Sequence, residues 1–420
     1  MARIVFATIG SLGDLHPVIA LALELRRRGH GAEIATSEMY REKIGALGLT
    51  FHALRPDLLS QGDHIIAEIM DGARGSRRLL RDHLFPAVRP MHADLAPVAA
   101  GADLLVASEL VFPAAILAAT RGVRWVSYVL APISLFSLHD PPVLPSFEAA
   151  RWLQRGGWIH RVIKPLVKIV TYSWWRPIRE LRRELGLPPG AHPFFEGKYS
   201  PRLNLVLYSP VLQPPQPDWP AKAVQTGFCF YDETATNPAP GPALPPGVES
   251  FLRAGDPPVV FTLGSAAVYL PGDFYAESVR AIQQLGRRAL LLLGKNPPPA
   301  NLSPSILAWD YLPYASIFPH AAAIVHQGGV GTTAQALRSG RPMLVVPFAH
   351  DQFDNAARVT RLGVGRTLSR SRYHAKNVGR ELAALLGQTS YAQVAATVGA
   401  RIRTEQGVLV ACDALEQQLP

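Results

Sequence analysis

The chain has 420 residues and 45.6 kDa, 48% hydrophobic and 18% charged, so it is too long for one ordinary core and too apolar for long-range disorder. Forty-two Lys and Arg against 32 acids give +10, which fits an anionic small substrate or an anionic membrane surface. With no zinc spacing, no aromatic RNA-binding signature and no basic tail, nucleic acid is set aside as a partner. Cys229 and Cys412 form no C-x-x-C pattern, which excludes a disulfide framework or a thiolate metal cluster and fits a reducing cytosol.

In chain order, "RIVFATI" (3–9) reads as a strand that meets Gly10 at once, unlike a signal peptide. "HPVIALALELRRRGH" (16–30) has apolar residues at helical spacing and ends at Gly29, and "GAEIATS" (31–37) is a second strand. "ADLLVAS" and "RWVSYVL" read as later strands around a helical stretch at 114–120. The longest apolar run, 104–120, is broken by Glu109 and is no membrane span. "NPAPGPALPPG" (237–247) reads as a linker. The pattern then restarts with the strands "PVVFTLGS", "RRALLLLG", "AAAIVHQGG" and "RPMLVVPFA". Repeated strand–helix–strand means parallel sheets with crossover helices, so the expectation is an α/β chain of two doubly wound Rossmann-like domains. The expected boundaries are 1–230, a linker at 231–250, a second domain at 251–400, and a C-terminal helix at 401–420 crossing back to the first domain.

The densest polar chemistry lies in "HQGGVGTTAQALRSGRPMLVVPFAHDQFDNA" (326–356). Gly328, Gly329 and Gly331 let the backbone pass close to a ligand. The helix "TTAQALRS" then offers free N–H groups, and Thr332 or Thr333 is expected to cap it. This is an anion site suited to phosphate, or else a plain tight turn before a capped helix. It is neither G-x-G-x-x-G nor a P-loop. Asp351 and Gln352 follow the next strand and carry groups suited to sugar hydroxyls. A phosphate site beside such a pair is what a nucleotide sugar requires.

H-x-G-G-x-G-T, a proline-terminated strand and D-Q resemble the donor signature of the UDP-glycosyltransferase superfamily, glycosyltransferase family one. "GSLGDLHP" (10–17), "FTLGS" (261–265) and "DQFDNAARVTRLGVG" (351–365) are similar to its bacterial branch. "LHDPPVLPSF" (138–147) and "GDFY" (272–275) are similar to the rhamnosyltransferase chains of rhamnolipid synthesis. The resemblance implies a GT-B fold, two Rossmann-like domains facing a cleft. It implies an inverting, metal-independent hexosyltransferase with a nucleotide-sugar co-substrate, UDP-glucose or dTDP-rhamnose, and no other cofactor. His326 would lie against the diphosphate, with Ser265, Gly331 and Thr332 donating to it. Tyr311 would stack on the base with Trp309 as rival and Leu312 beside it. Asp351 and Gln352 would hold the hexose, Asn355 either helping or capping. The loop Gly10, Ser11, Gly13 would meet the acceptor.

For the general base the resemblance points to Asp14, with His16 as rival; where plant members orient their histidine with an acid at the end of a later strand, this chain departs and offers Ser108 and Glu109. A helix-capping role for Asp14 and a first-turn position for His16 are the plainer readings. Rival functions are a GT-B sugar-nucleotide epimerase and a non-catalytic nucleotide-sugar-binding partner subunit. A dehydrogenase fits poorly, since "GSLGD" lacks a third glycine. The stretch 151–179 holds four of seven tryptophans, seven basic residues and no acid. Ile159, Val162, Ile163, Leu166, Ile169 and Val170 share one helical face, Arg161, Lys164 and Lys168 another, with Pro165 as a break. That face either packs on the sheet, lines a pocket for a lipophilic hydroxyl acceptor, or contacts an anionic membrane. The chain is thus expected to be a cytoplasmic monomer or weak dimer, at most peripheral at the inner membrane face.

Overall fold

The computed structural model describes residues 1–144, 157–232 and 244–420. The chain divides into two compact units, Met1–Phe230 with Gln406–Pro420, and Tyr231–Glu405. Residues 145–147 of "LHDPPVLPSF", 237–243 of the Pro-rich stretch and 151–156 of the basic stretch lie outside the described residues.

The first unit holds β1 (Arg3–Ala7), β2 (Gly31–Thr36), β3 (Thr50–Ala53), β4 (Leu104–Ser108), β5 (Trp125–Val129), β6 (Asn204–Val206) and β7 (Ala223–Gln225). All pair in parallel in the order β3-β2-β1-β4-β5-β6-β7. The second holds β8 (Val259–Thr262), β9 (Ala289–Leu292), β10 (Ile306–Trp309), β11 (Ala323–His326), β12 (Met343–Val345) and β13 (Gly365–Thr367), parallel in the order β10-β9-β8-β11-β12-β13. Both are doubly wound sheets with the Rossmann order 3-2-1-4-5-6, the first carrying one extra strand. Helices on both faces explain why β4, β5, β8, β9 and β11 are buried at every position and read as unbroken apolar runs rather than alternating ones. Each buried Leu, Val or Ile there contributes roughly 1.5–3 kcal/mol.

This winding fixes where ligands belong. Strand order reverses between β1 and β4 in one unit and between β8 and β11 in the other, opening a crevice beyond their carboxyl ends. Register places Ala7 beside Ala107 and Thr262 beside His326, so the loops leaving each pair start side by side.

α1 (Leu12–Arg27) starts four residues earlier than the spacing predicts, because Ser11 caps it and Asp14 closes a capping box. The basic stretch gives α2 (Gly157–Val170), and the C-terminal part of its apolar face is turned to solvent. Leu166, Ile169 and Val170 are 55%, 72% and 57% exposed. Lys164 and Lys168 turn inward over the Phe195 ring, and Lys168 pairs with Glu196 at 2.7 Å. Trp174 and Trp175 pack into the core rather than marking a membrane interface. α3 (Val330–Ser339) and α4 (Gln352–Arg361) belong to the second unit, and α5 (Gly407–Glu416) packs on α1 in the first, where Arg28 bridges to Asp413 and Glu416.

Candidate functional site

In the second unit the turn after β8 and the turn after β11 interlock through one amide. Gly264 has φ +66°, and a Cβ there would sit 2.2 Å from Gln327 Nε2. That same nitrogen donates to Thr332 Oγ1 at 3.3 Å. Gln327 therefore spans both loops at the strand-order reversal. Only glycine at 264 leaves it room. Ser265 follows, half-buried in the same turn.

His326 ends β11 fully buried. Its Nδ1 accepts the Gly328 N–H at 3.1 Å, and its Nε2 meets the Met343 sulfur at 3.4 Å. Burial pushes the imidazole down to about 3, so it is neutral and holds the glycine turn in shape. α3 begins at Val330 with Gly329 as its N-cap, and no side chain caps it. The threonine cap expected from the sequence is not formed. The backbone turns helical two residues earlier, and Thr332 and Thr333 become third and fourth residues of the helix. Asp351 Oδ2 takes the Val330 N–H at 3.2 Å, and Thr333 N–H bonds Gly329 O. Gly331 and Thr332 are left with N–H groups for which the helix itself offers no acceptor.

Three buried side-chain oxygens crowd this turn without a hydrogen bond: Gln327 Oε1, Thr333 Oγ1 and Asn355 Oδ1. Asn355 is tied in by its other end, Nδ2 donating to Gly328 O at 2.9 Å and to Asp351 Oδ2 at 2.7 Å. Gln352 is buried and its Oε1 accepts the N–H groups of Phe348 and Ala349. Asp351 and Gln352 thus spend part of their polarity shaping the loop that carries them. In that loop His350 holds a left-handed φ of +56°, a strained conformation for a non-glycine, and burial pushes its imidazole down to about 4. Of the residues expected to meet the nucleotide base, Tyr311 is 50% exposed, Trp309 half-buried and Leu312 buried. Tyr314, which the sequence gave no reason to single out, reaches Thr262 Oγ1 at 2.8 Å and stacks on Phe318.

In the first unit the loop after β1 holds a carboxylate. Asp14 Oδ2 accepts the Ser11 N–H at 2.8 Å and the Ser11 hydroxyl at 3.3 Å. A Cβ on Gly10 would fall 2.2 Å from that oxygen, so Gly10 gives the carboxyl its place, and Gly13 donates its N–H to Ser11 Oγ. Burial raises the Asp14 carboxyl to about 6 against the Ser11 hydrogen bonds, which lower it, and the nearby Glu109 charge raises it further. His16 is half-buried two residues along the same helix, and residues so spaced do not face each other. Glu109 follows β4, beside β1, and is gripped by Lys198 and Ser134. The sequence gave no sign of Lys198, which lies 89 residues away in an unremarkable loop.

The molecule can be placed among known proteins on these features. The profile of the glycosyltransferase family 28 N-terminal domain matches residues 4–88, and that of the erythromycin biosynthesis protein CIII-like C-terminal domain matches 291–406. The chain is 29% identical over 436 residues to O-mycaminosyltylonolide 6-deoxyallosyltransferase of Streptomyces fradiae, covering 99% of this chain and 97% of that one. It is 30% identical over 380 residues to glycosyltransferase GtfE of Amycolatopsis orientalis, covering 86% and 85%. The fold is that of the spinosyn rhamnosyltransferase SpnG solved with thymidine diphosphate, with a TM-score of 0.66 at 17% identity over 99% of this chain and 100% of that one. These relatives favour neither an epimerase nor a non-catalytic subunit. The chain belongs to the UDP-glycosyltransferase superfamily, and is a GT-B glycosyltransferase of the natural-product type.

Proposed function

We propose that the enzyme inverts configuration while moving a hexose from a nucleoside-diphosphate sugar to a hydroxyl of a lipophilic small molecule. The observation that carries this reading is the turn around Gly328. Unmatched N–H groups of Gly331 and Thr332, the positive end of α3, and the orphan polar atoms of Gln327, Thr333 and Asn355 converge there. A flip of the Gln327 amide, with the Thr332 hydroxyl then donating to its oxygen, would present a further N–H donor, whereas Asn355 is held in its orientation by Gly328 O and Asp351 Oδ2. A diphosphate, which only accepts, would take the two N–H groups, the Thr333 hydroxyl and the Gln327 amide, and these donors can carry its developing charge without calling for a metal. Ser265 adds a hydroxyl from the neighbouring turn, Asp351 and Gln352 would read the hexose, and Tyr311 would stack on the base. The thymidine diphosphate of the spinosyn enzyme and the 6-deoxyallosyl group of the Streptomyces fradiae relative support a dTDP-linked 6-deoxyhexose such as dTDP-rhamnose over UDP-glucose.

In the reaction the acceptor oxygen attacks the anomeric carbon opposite the diphosphate. Its proton passes to the Asp14 carboxylate, the bond from that carbon to phosphate oxygen breaks, and the electron pair leaves with the diphosphate. Near pH 7 a carboxyl titrating at about 6 is mostly ionised yet more basic than an ordinary aspartate. A lipophilic acceptor agrees with a relative that acts on a tylonolide. The exposed Leu166, Ile169 and Val170 of α2, on a chain of net charge +10, would let the enzyme rest on an anionic bilayer that holds such an acceptor. Calorimetry with dTDP and with UDP tests the site. Thr332→Val and Thr333→Val together are expected to weaken the better ligand at least about tenfold. Unchanged affinity rejects the diphosphate site. Co-sedimentation with anionic vesicles at low salt tests the surface, and no binding rejects it.

A further inference from the structure

Tyr314 opens a one-turn helix, Tyr314–Ile317, directly after the segment 311–313 expected to meet the nucleobase. That segment leaves β10, the edge strand, and β10 stands two strands away from β8. Neighbouring strands lie about 4.8 Å apart, so the segment starts roughly 10 Å from the strand whose turn carries Gly264 and Ser265. Backbone hydrogen bonds tie its start to the end of β9, the Leu293 and Gly294 N–H groups donating to Trp309 O and Asp310 O at 2.9 and 2.8 Å. Tyr314 spans the rest. Its hydroxyl meets Thr262 Oγ1, on the last residue of β8, at 2.8 Å. Its ring is set by the stack on Phe318, with centroids 4.5 Å apart and planes at 11°. Thr262 Oγ1 also accepts the Gly264 N–H at 3.2 Å, so the same hydroxyl shapes the turn into which Gln327 fits. The one-turn helix packs against α3, which carries Thr332. Burial holds the Tyr314 phenol above its usual range, against the Thr262 and Thr332 hydroxyls, which lower it, so it stays neutral.

A buried tyrosine hydroxyl needs a partner, and most side-chain hydrogen bonds go to backbone or water. Tyr275 in the same unit takes that course, donating to Leu292 O at 2.5 Å. Tyr314 instead joins the side chain that fixes Gly264. It thereby links three turns: the one after β10, the one after β8 and, through Gln327, the one after β11. A nucleotide must reach its base contact and its diphosphate contacts at once, and it gains most from both where their spacing is fixed beforehand. We propose that Tyr314 is a positioning residue whose bond to Thr262 sets the nucleobase turn at the spacing from the phosphate turns that one nucleoside diphosphate spans. The proposal rests on reading the turn around Gly328 as the diphosphate site and Tyr311 as the base contact. Tyr314 acts through Thr262 and Gly264, and its part is to make the two halves of the ligand bind as one.

Calorimetry on the intact enzyme with thymidine and with dTDP measures what the diphosphate adds to the nucleoside, uridine and UDP serving instead if UDP binds tighter. Tyr314→Phe keeps the ring and its stack and removes only the hydroxyl. It is expected to leave nucleoside affinity within about twofold and to cut the affinity added by the diphosphate about threefold to tenfold, the scale of one hydrogen bond. Thr262→Val is expected to do the same from the other side of the bond, and Thr262→Ser, which keeps the hydroxyl, to retain the wild-type gain. In the Thr262→Val background Tyr314→Phe should cost nothing more, because the bond is already gone. A merely structural tyrosine would lower nucleoside and diphosphate affinity together, or lower the melting temperature alone, and either result overturns the proposal. Additive losses in the double variant overturn it too. Should Tyr314→Phe not fold, Thr262→Val against Thr262→Ser carries the test. A wild-type enzyme that gains nothing from the diphosphate overturns the diphosphate reading and the proposal with it, whereas a gain that both Tyr314→Phe and Thr262→Val preserve overturns the proposal alone.

Discussion

The two crevices of the molecule are made of different materials. Beyond β8 and β11 the polar groups are mainly backbone N–H groups and neutral amides, fixed by glycines and by a buried neutral imidazole. Beyond β1 and β4 they are two carboxylates, held by a capping box and by a buried lysine. The first arrangement is rigid and nearly charge-free, which suits a ligand that brings its own charge. The second stores charge in a partly desolvated place, which suits proton transfer. Substitutions in one crevice should therefore act through shape and binding, and in the other through charge and rate.

The largest expected effect breaks the comparison most cleanly. Asp14→Asn keeps size and one hydrogen-bond acceptor but removes the proposed base, and turnover is expected to fall at least roughly a hundredfold. Affinity for dTDP or UDP, read by calorimetry, should stay within about twofold. If His16→Ala is inactive and Asp14→Asn is not, the roles of the two residues are reversed.

The next effects use glycine on both sides. In Gly264→Ala the new methyl meets Gln327 Nε2 and the backbone leaves its favoured region, so Gln327 must withdraw from between the turns. Nucleotide affinity is expected to fall about tenfold, with kcat at saturating donor changing less. Gly10→Ala drives a methyl into the Asp14 carboxyl. It should lower kcat by a similar factor and leave nucleotide affinity alone. Equal effects of the two alanines on binding would show that the division between shape and charge is false.

What could be read in the sequence follows the same division. The alternation of strands and helices, both glycine turns and the Asp-Gln pair are local patterns, and they led to the two doubly wound sheets and to both crevices. β3, β10 and β13 carry no periodic signal, being short and lying away from the sheet centres. The start of α3 was misread because a threonine is a good cap in isolation, whereas Gly329 already has the extended backbone of an N-cap. The burial of His326 depends on what packs around the end of β11. The grip of Lys198 on Glu109 joins residues 89 apart with no motif. α2 was expected to hide its apolar face or give it to an acceptor or a membrane. Leu166, Ile169 and Val170 of that face are exposed, while Phe195 and Glu196, outside the helix, hold Lys164 and Lys168. Local pattern thus located the backbone-built crevice in detail and the side-chain-built one only in outline.

The smallest effect is on stability, and its sign is fixed. Folding raises the Asp14 carboxyl from about 3.8 to about 6, so the folded state favours the protonated form. The contribution is fully present below pH 4 and is lost as pH rises through 6, because ionising Asp14 then costs folding free energy. Two units correspond to at most about 3 kcal/mol, and solvent reaching the half-buried side chain lowers that toward roughly 1 kcal/mol. Asp14→Asn cannot ionise and escapes the loss. Its melting temperature relative to wild type should rise between pH 4 and pH 6.5 by a few degrees and then level off. The buried histidines His326 and His350 destabilise both proteins as pH falls below 6.5, since their folded forms resist protonation, so they cancel in the difference. A difference that is flat with pH would mean Asp14 is an ordinary capping residue with an ordinary carboxyl. A difference that rises while turnover falls would mean that the enzyme keeps a less stable first unit because the strained carboxylate is its base.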